Sequence, residues 1–414
     1  RQEMSEPLSL YVHVPFCSSR CGYCDFNTYT ASELGDGVDR ASFHTHLASE
    51  IAMAARTLAP SYQVDTVFFG GGTPTLIGAP ALCDLLARIH DEFDVAADVE
   101  VTTEANPDSV DQQMLEDLVT GGFTRISIGM QSGAPHVLAT LERTHTPGAS
   151  SAAALAARAA GFDHVNLDLI YGTPGESDDD VQRSLDEVLD TGVDHVSAYS
   201  LIVEDGTALA RRVTRGEIAE PDDDVAAERY ELIDDRLSDR GLRWYEVSNW
   251  SMPGGECRHN LAYWRNRDWW GVGPGAHSHQ AGHRWWNVKH PRTYAARVSA
   301  GMSPAEGHEE TTHEQQRLER LMMGLRVREG VIADEVECPQ SAVLDLVDRG
   351  LVEAEPAHEP AARIVLTRRG RLLADAVARE LAVISEASSA PDAGPDAGPD
   401  AGPDAPTAKQ ADPT

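Results

Sequence analysis

The sequence predicts an α/β protein: an incomplete, TIM-like (β/α)6 barrel followed by a small, mainly helical C-terminal domain. Three observations predict it. Strand-length apolar runs alternate with helix-length segments, joined by short loops. Polar residues and glycines gather just after the strands, at Cys17, Gly70, Glu104, Gln131, Asp168 and Tyr199. About six such repeats run along the chain before the pattern changes, too few to close an eight-fold barrel.

Residues 8–14 (LSLYVHV) alternate and stop at Pro15, so they read as a strand whose end delivers the cysteines. A helix is expected over 38–58. VDTVFFGGGTPT then reads as a strand running into Gly70, Gly71 and Gly72. Helix 80–93, strand 98–103, helix 108–120 and strand 124–129 follow. Helix 149–160, strand 164–170, helix 178–190, strand 195–202, helix 223–240 and strand 243–247 complete the run. The rhythm predicts a parallel sheet covered by helices, with its chemistry at the strand ends.

Residues 244–290 differ. All seven tryptophans lie there, with five of the sixteen histidines: His259, His277, His279, His283 and His290. Residues 311–386 read as small helices with a β-hairpin at 351–367. The charge of this segment is not basic, which argues for a lid over the barrel mouth rather than a DNA-binding unit. The repeat PDAGPDAGPDAGPDAP at 391–406 has almost nothing to bury and is expected to be disordered. The expected units are therefore a barrel over 1–250, a Trp/His-rich extension over 251–310, a small domain over 311–386 and a tail over 387–414.

The formal net charge is −33, and Lys289 and Lys409 are the only lysines. Such a surface repels nucleic acid and anionic membranes. It also suits a high-salt cytoplasm, where screening relieves self-repulsion. No run of 18 apolar residues occurs, so no membrane span is expected, and the first residues do not read as a signal peptide. Three of the six cysteines are clustered, and Cys83, Cys257 and Cys338 are scattered. That pattern fits a reducing, cytoplasmic compartment and one metal site.

The cluster lies in YVHVPFCSSRCGYCDF, where Cys17, Cys21 and Cys24 are spaced C-x3-C-x2-C. A tetrahedral zinc site needs four ligands, usually from two C-x2-C pairs. Three thiolates suit a redox-active [4Fe–4S] cube whose fourth iron is left open. A zinc knuckle with His13 as fourth ligand, or buried structural cysteines, is the alternative. Phe16, Tyr23 and Phe26 would exclude water around a cluster.

On this motif the chain resembles the radical S-adenosylmethionine (SAM) proteins, and more narrowly the oxygen-independent coproporphyrinogen III oxidase group. The resemblance runs over roughly residues 8–385, with the motifs in family order. It implies that the open iron takes the amino and carboxylate groups of SAM, and that one electron then cleaves SAM to a 5′-deoxyadenosyl radical.

The remaining motifs fall into place on that resemblance. Gly70–Thr75 ends a strand, where glycines permit close backbone approach; a simple tight turn is the alternative. It is not a P-loop, because no G-K-[ST] follows. The resemblance makes Gly71, Gly72 and Thr73 the element that holds the SAM amino group. Glu104, in TTEANPDS, suits a ribose or an amine, and a helix cap nearby is better given to Asp108. The resemblance makes Glu104 a SAM contact. Gln131 and Arg143 are implied to flank the SAM pocket, although Arg143 also reads as a solvated surface arginine. Asp168 stands in an otherwise mostly apolar strand, where a carboxylate needs a partner. It is implied as a pocket aspartate, with Tyr11 and Tyr23 beside it.

His259, Asn260, Tyr263 and Trp264 match the H-N-x-x-Y-W motif of HemW-type proteins, the haem-binding relatives of the oxidase. Residues 271–278 (GVGPGAHS) match a glycine-rich segment shared by the group. Aromatic walls and imidazole ligands suit a flat iron macrocycle. An aromatic core patch with a satisfied histidine is the alternative for His259, and His277 competes as ligand.

Two functions of different class follow from the resemblance. A haem chaperone would bind haem and pass it to an acceptor protein, alongside a [4Fe–4S] cluster, SAM and a reductant such as flavodoxin or ferredoxin. A coproporphyrinogen III dehydrogenase would use the radical to decarboxylate two propionates to vinyl groups. Three features favour the chaperone. Phe26 stands where the dehydrogenases carry a further cysteine, only ten residues precede Tyr11, and the H-N-x-x-Y-W motif is intact. Another radical SAM reaction is the third reading, and no catalytic residue is assigned.

Overall fold

A computed structural model describes residues 5–34, 38–58, 61–358 and 362–389; the repeat expected to be disordered at 391–406 lies outside the described residues. Six strands carry the repeat: β1 (Glu6–Val14), β2 (Tyr62–Gly71), β3 (Asp94–Ala105), β4 (Arg125–Gln131), β5 (His164–Tyr171) and β6 (His195–Ser200). Each pairs in parallel with the next. The chain then adds β7 (Arg243–Glu246), β8 (Asn249–Ser251), β9 (Trp269–Val272), β10 (His277–Gln280), β11 (His283–Asn287) and β12 (Ala305–Glu310). The resulting sheet runs β12-β11-β10-β9-β1-β2-β3-β4-β5-β6-β8-β7 and ends at two edges, so the barrel is incomplete as expected.

The additions differ from a continued repeat. β7 does not follow β6 in space. It turns back through two residues onto β8, and β8 pairs antiparallel with β6. A connection that short can join only antiparallel strands. On the opposite side, β9 pairs in parallel with β1, and β10 to β12 meander outward. The Trp/His-rich stretch is thus sheet continuous with the cysteine-bearing strand.

Alternation along the six strands explains where a cavity can form. Leu8, Leu10 and Val12, Val67 and Phe69, Ile126 and Ile128, and Val165, Leu167 and Leu169 are buried in the main core with the covering helices. Most of the intervening residues are polar, Phe68 being an exception. Thr102, Arg125, Ser127, Asn166, Asp168, His195 and Ser197 line a chamber of about 520 Å³ inside the strands. Polar side chains do not collapse into a dry core, so the interior stays open.

Helix boundaries show local chemistry overriding pattern. The helix expected from 38 begins at His44. Asp39 accepts from the Ala41 N–H and the Ser42 hydroxyl, fixing a turn first. The helix expected over 108–120 is Gln112–Thr120, and its cap is Asp111, which accepts from the Met114 N–H at 2.8 Å. Asp108 instead accepts from the Thr146 N–H at 3.0 Å.

The hairpin expected at 351–367 is a single bridge, Val352 to Leu366. The short strand Arg363–Ile364 pairs with Val331–Ile332 instead, and a helical turn, Ala354–Ala357, occupies the intervening chain. This C-terminal region has its own core, from Leu321 to Leu381. It docks on the barrel through Arg371, which reaches Asp234 at 2.9 Å and lies 4.3 Å over the Trp244 ring.

Candidate functional site

The segment after β1 folds back under its own end: the Cys17 N–H donates to the Tyr29 carbonyl at 3.1 Å. Cys17, Cys21 and Cys24 are partly buried free thiols. Burial pushes the Cys17 thiol up to about 11, with Cys24 and Cys21 adding to the effect, and it raises Cys24 as well. Sulfurs that hinder each other's ionisation are the set that a bound iron cluster, with its positive metal charge, would hold as thiolates.

The zinc alternative fails at its fourth ligand. His13 is buried, donates from Nε2 to the Asn27 carbonyl at 2.8 Å, and accepts the Tyr11 hydroxyl at Nδ1 at 2.9 Å. Among the described residues no three His, Cys, Asp or Glu side chains converge on one ion position. A cube spreads its thiolates over separate irons and does not need that convergence.

The three cysteines line a cavity of about 150 Å³ together with Tyr23, Gly71, Gly72, Thr73, Glu104, Gln131, Arg143 and Asp168. Five successive strand ends therefore meet there. The glycines earn their place by contact: Gly71 has φ +109°, and a Cβ on Gly72 would lie 2.3 Å from the Phe16 carbonyl oxygen. The Gly72 and Thr73 N–H groups donate to the carbonyls of Val14 and Phe16, tying the glycine loop to the cysteine loop. Tyr11 stands just outside, in the adjoining 520 Å³ chamber.

Arg143 is not a surface arginine. It donates to Cys21 Sγ at 3.5 Å and to the Gly129 carbonyl at 3.1 Å. Gln131 ends β4 at a register shift and holds φ +68°, a left-handed backbone that turns its side chain into the cavity wall.

Glu104 and Asp168 face the same space. Burial and the nearby Asp168 push the Glu104 carboxyl up to about 8, although the Gly71 N–H donates to it at 3.1 Å. Burial also raises Asp168, against hydrogen bonds from Asn166 and Ser127. A cationic ligand placed against these two buried carboxyls would favour their ionised forms and be favoured by them in return. The ammonium and sulfonium charges of SAM have that sign.

The second cluster lies on helix Arg258–Trp264. His259 is buried and stacks on Phe68, with ring centroids 5.2 Å apart. Its Nδ1 bonds to Thr66 Oγ1 and its Nε2 to the Tyr263 hydroxyl, both at 2.8 Å. Asn260 lines the 520 Å³ chamber. Trp264 faces the other way, into a cleft of about 460 Å³ that also holds His277. Tyr263 meets Trp269 edge-on at 5.0 Å and so joins the two sides.

Residues 11–188 match the Radical SAM superfamily. The heme chaperone HemW of Mycobacterium tuberculosis is 53% identical over 386 residues, covering 91% of this chain and 95% of that protein. The chain belongs to the HemW family. The heme chaperone HemW of Bacillus subtilis is 32% identical over 89% of this chain and 97% of its own length. Among solved structures, the coproporphyrinogen III oxidase HemN of Escherichia coli, a radical SAM enzyme, superposes with a TM-score of 0.76. It covers 91% of this chain and 90% of that one at 22% identity, a likeness of fold. Radical SAM domains bind an iron–sulfur cluster and SAM, and this HemW-family chain presents three free thiols beside an acidic pocket for them. Among the described residues no helix is long and apolar enough to cross a membrane.

Sequence reasoning missed the polar chain that surrounds the HemW-family pocket. His195 bonds to Asn166 at 2.7 Å and to the Tyr245 hydroxyl at 2.8 Å, and Asn166 donates to Asp168. Burial holds His195 well below its usual range, so it is neutral. Arg125 is also buried and donates to the Gly255 carbonyl at 2.6 Å. The signal was present: Arg125 and Ser127, Asn166 and Asp168, and His195, Ser197 and Tyr199 recur at a period of two.

Proposed function

We propose that this protein is a haem chaperone that binds haem and passes it to an acceptor protein. The single observation that carries this is the 53% identity to a heme chaperone over nearly its whole length. The geometry supports it through two sites, a thiol-lined acidic pocket and an aromatic cleft, each sharing lining residues with a third cavity between them. Cys17, Cys21 and Cys24 would hold the cluster. Tyr11, Tyr23, Gly71, Gly72, Thr73, Glu104, Gln131, Arg143 and Asp168 would surround SAM. When bound, the cluster supplies one-electron chemistry to SAM. In this reading His259, Asn260, Tyr263 and Trp264 build the haem-binding region: the buried histidine fixes the helix, and Trp264 presents a face to the cleft. A reductant such as flavodoxin or ferredoxin and a haem-accepting protein are the partners, in the cytoplasm.

The test is anaerobic purification followed by titration with haemin. One haem per chain, moving to an added apo-haemoprotein, is expected; a haemin Soret band unchanged by the protein would overturn the reading. The 520 Å³ chamber beside the SAM pocket favours the dehydrogenase as second reading. With coproporphyrinogen III, SAM and a reductant, no protoporphyrinogen IX is expected, because Phe26 occupies the position of the further cysteine.

A further inference from the structure

We propose that His277, not His259, is the axial ligand of the haem iron, in the cleft walled by Trp264, Trp269, Trp286, Met322 and Met323. This rests on the chaperone reading and names the atom that grips its cargo. A protein ligand to haem iron needs an imidazole lone pair that can face the metal. Thr66 Oγ1 donates to Ser9 Oγ at 2.8 Å, so it accepts from His259 Nδ1–H. The remaining His259 lone pair, on Nε2, therefore accepts the Tyr263 hydroxyl. To bind iron, His259 would have to break that bond and turn out of its place in the wall of the 520 Å³ chamber, where it is only 1% exposed. It would strand the Tyr263 hydroxyl as well.

His277 has the opposite surroundings. It opens β10, is exposed, and neither ring nitrogen has a partner among the described residues. In the β10–β11 register it faces Trp286, and the two rings stack with centroids 5.8 Å apart. Gly307 on β12 lies opposite Trp286, and a Cβ there would sit 2.4 Å from the indole; the strand keeps that space open for the ring. Burial and Lys289 hold His277 in its neutral, ligating form. The cleft volume of about 460 Å³ is in the range of small-molecule sites. Its walls are indole and thioether, the surfaces that take a macrocycle face.

Charge explains why the grip is on ring and iron. Arg284 and Arg326 line the cleft, but Arg284 is paired with Glu309 and Glu319, and Arg326 with Asp375. Haem propionates would compete with those carboxylates. A ligand held by one axial bond and by stacking, with contested propionates, can be surrendered to an acceptor. His277 also lines a second cavity of about 410 Å³ that reaches Tyr11, Gly71 and Glu104. The iron would thus sit on the route to the SAM pocket.

Haemin titration of the full chain, followed by absorption and EPR spectroscopy, tests this. In His277→Ala the histidine-ligated signature is lost and haem affinity falls at least ~10-fold. Added imidazole restores the signature. In His259→Gln the histidine-ligated signature persists even where affinity falls. Wild-type binding with an unchanged spectrum in His277→Ala would overturn this inference and leave the chaperone reading standing. No haem uptake by the wild type would overturn both.

Discussion

At the residue scale, the pocket is defined by charges that only a ligand completes. Glu104 gives this a pH signature. Its carboxyl titrates near 8 in the folded chain, above its ordinary value of 4.5. The folded state therefore keeps a proton that the unfolded chain releases between those values. Stability is fully present below about pH 4.5 and is lost as pH rises through about 8. Asp168 shifts in the same direction. Thermal melts of cluster-free protein should show Glu104→Gln gaining on the wild type as pH goes from about 6 to about 9. A difference independent of pH would reject the assignment. Glutamine still accepts the Gly71 N–H, so the variant removes the charge and keeps the bond. Little of this was legible in the sequence. Glu104 and Asp168 were visible as candidates, but their mutual effect depends on two strands meeting, and no spacing along the chain records that. His259 shows the reverse. Its motif was legible, whereas its commitment to Thr66 and Tyr263 was not, because Thr66 lies 193 residues away.

At the element scale, the strand–helix repeat was readable because each unit is local. A run such as LSLYVHV needs no distant partner to look like a strand. β7 misled because its pattern resembles that of the other strands while its direction is set by the turn that follows. The 351–367 hairpin misled because the true partner of Arg363–Ile364 is Val331–Ile332, two residues too short to register as a strand. The glycine loop after β2 was legible as a close approach, but what it approaches was not. It abuts the backbone of Phe16, immediately before Cys17. Backbone cannot rotate away as a side chain can. Gly72→Ala should therefore cost about 1–3 kcal/mol by overpacking and push the cysteine loop outward. Iron and sulfide per chain after reconstitution should fall with the melting temperature. Wild-type cluster content in Gly72→Ala would separate the two loops.

At the scale of the whole molecule, two features act over long distances. The first is the clasp between the C-terminal region and the barrel. Arg371 is buried against Asp234 and the Tyr230 hydroxyl, and Asp234 also accepts from Trp250 Nε1 at 2.8 Å. Arg371→Ala leaves the buried Asp234 with that indole and with Arg368, which is more exposed and 3.5 Å away. The expected cost is about 3 kcal/mol, the low end for breaking a buried pair. Met322 and Met323 belong to that C-terminal region, so limited proteolysis and haem affinity should both report its release. The second feature is net charge. Acidic residues number 67 against 34 basic ones, so the uncompensated carboxylates are nearly as many as all the paired ones could be. Salt weakens both the exposed ion pairs, such as Arg265 with Glu329, and the mutual repulsion. Each exposed pair contributes about 0–1 kcal/mol, whereas the excess negative charge acts on itself across the whole surface. Repulsion outweighs the pairs, so screening should stabilise. The melting temperature should climb steadily as KCl is raised from about 0.05 M towards about 2 M, and a flat or falling curve would show that the arginine pairs prevail over the repulsion.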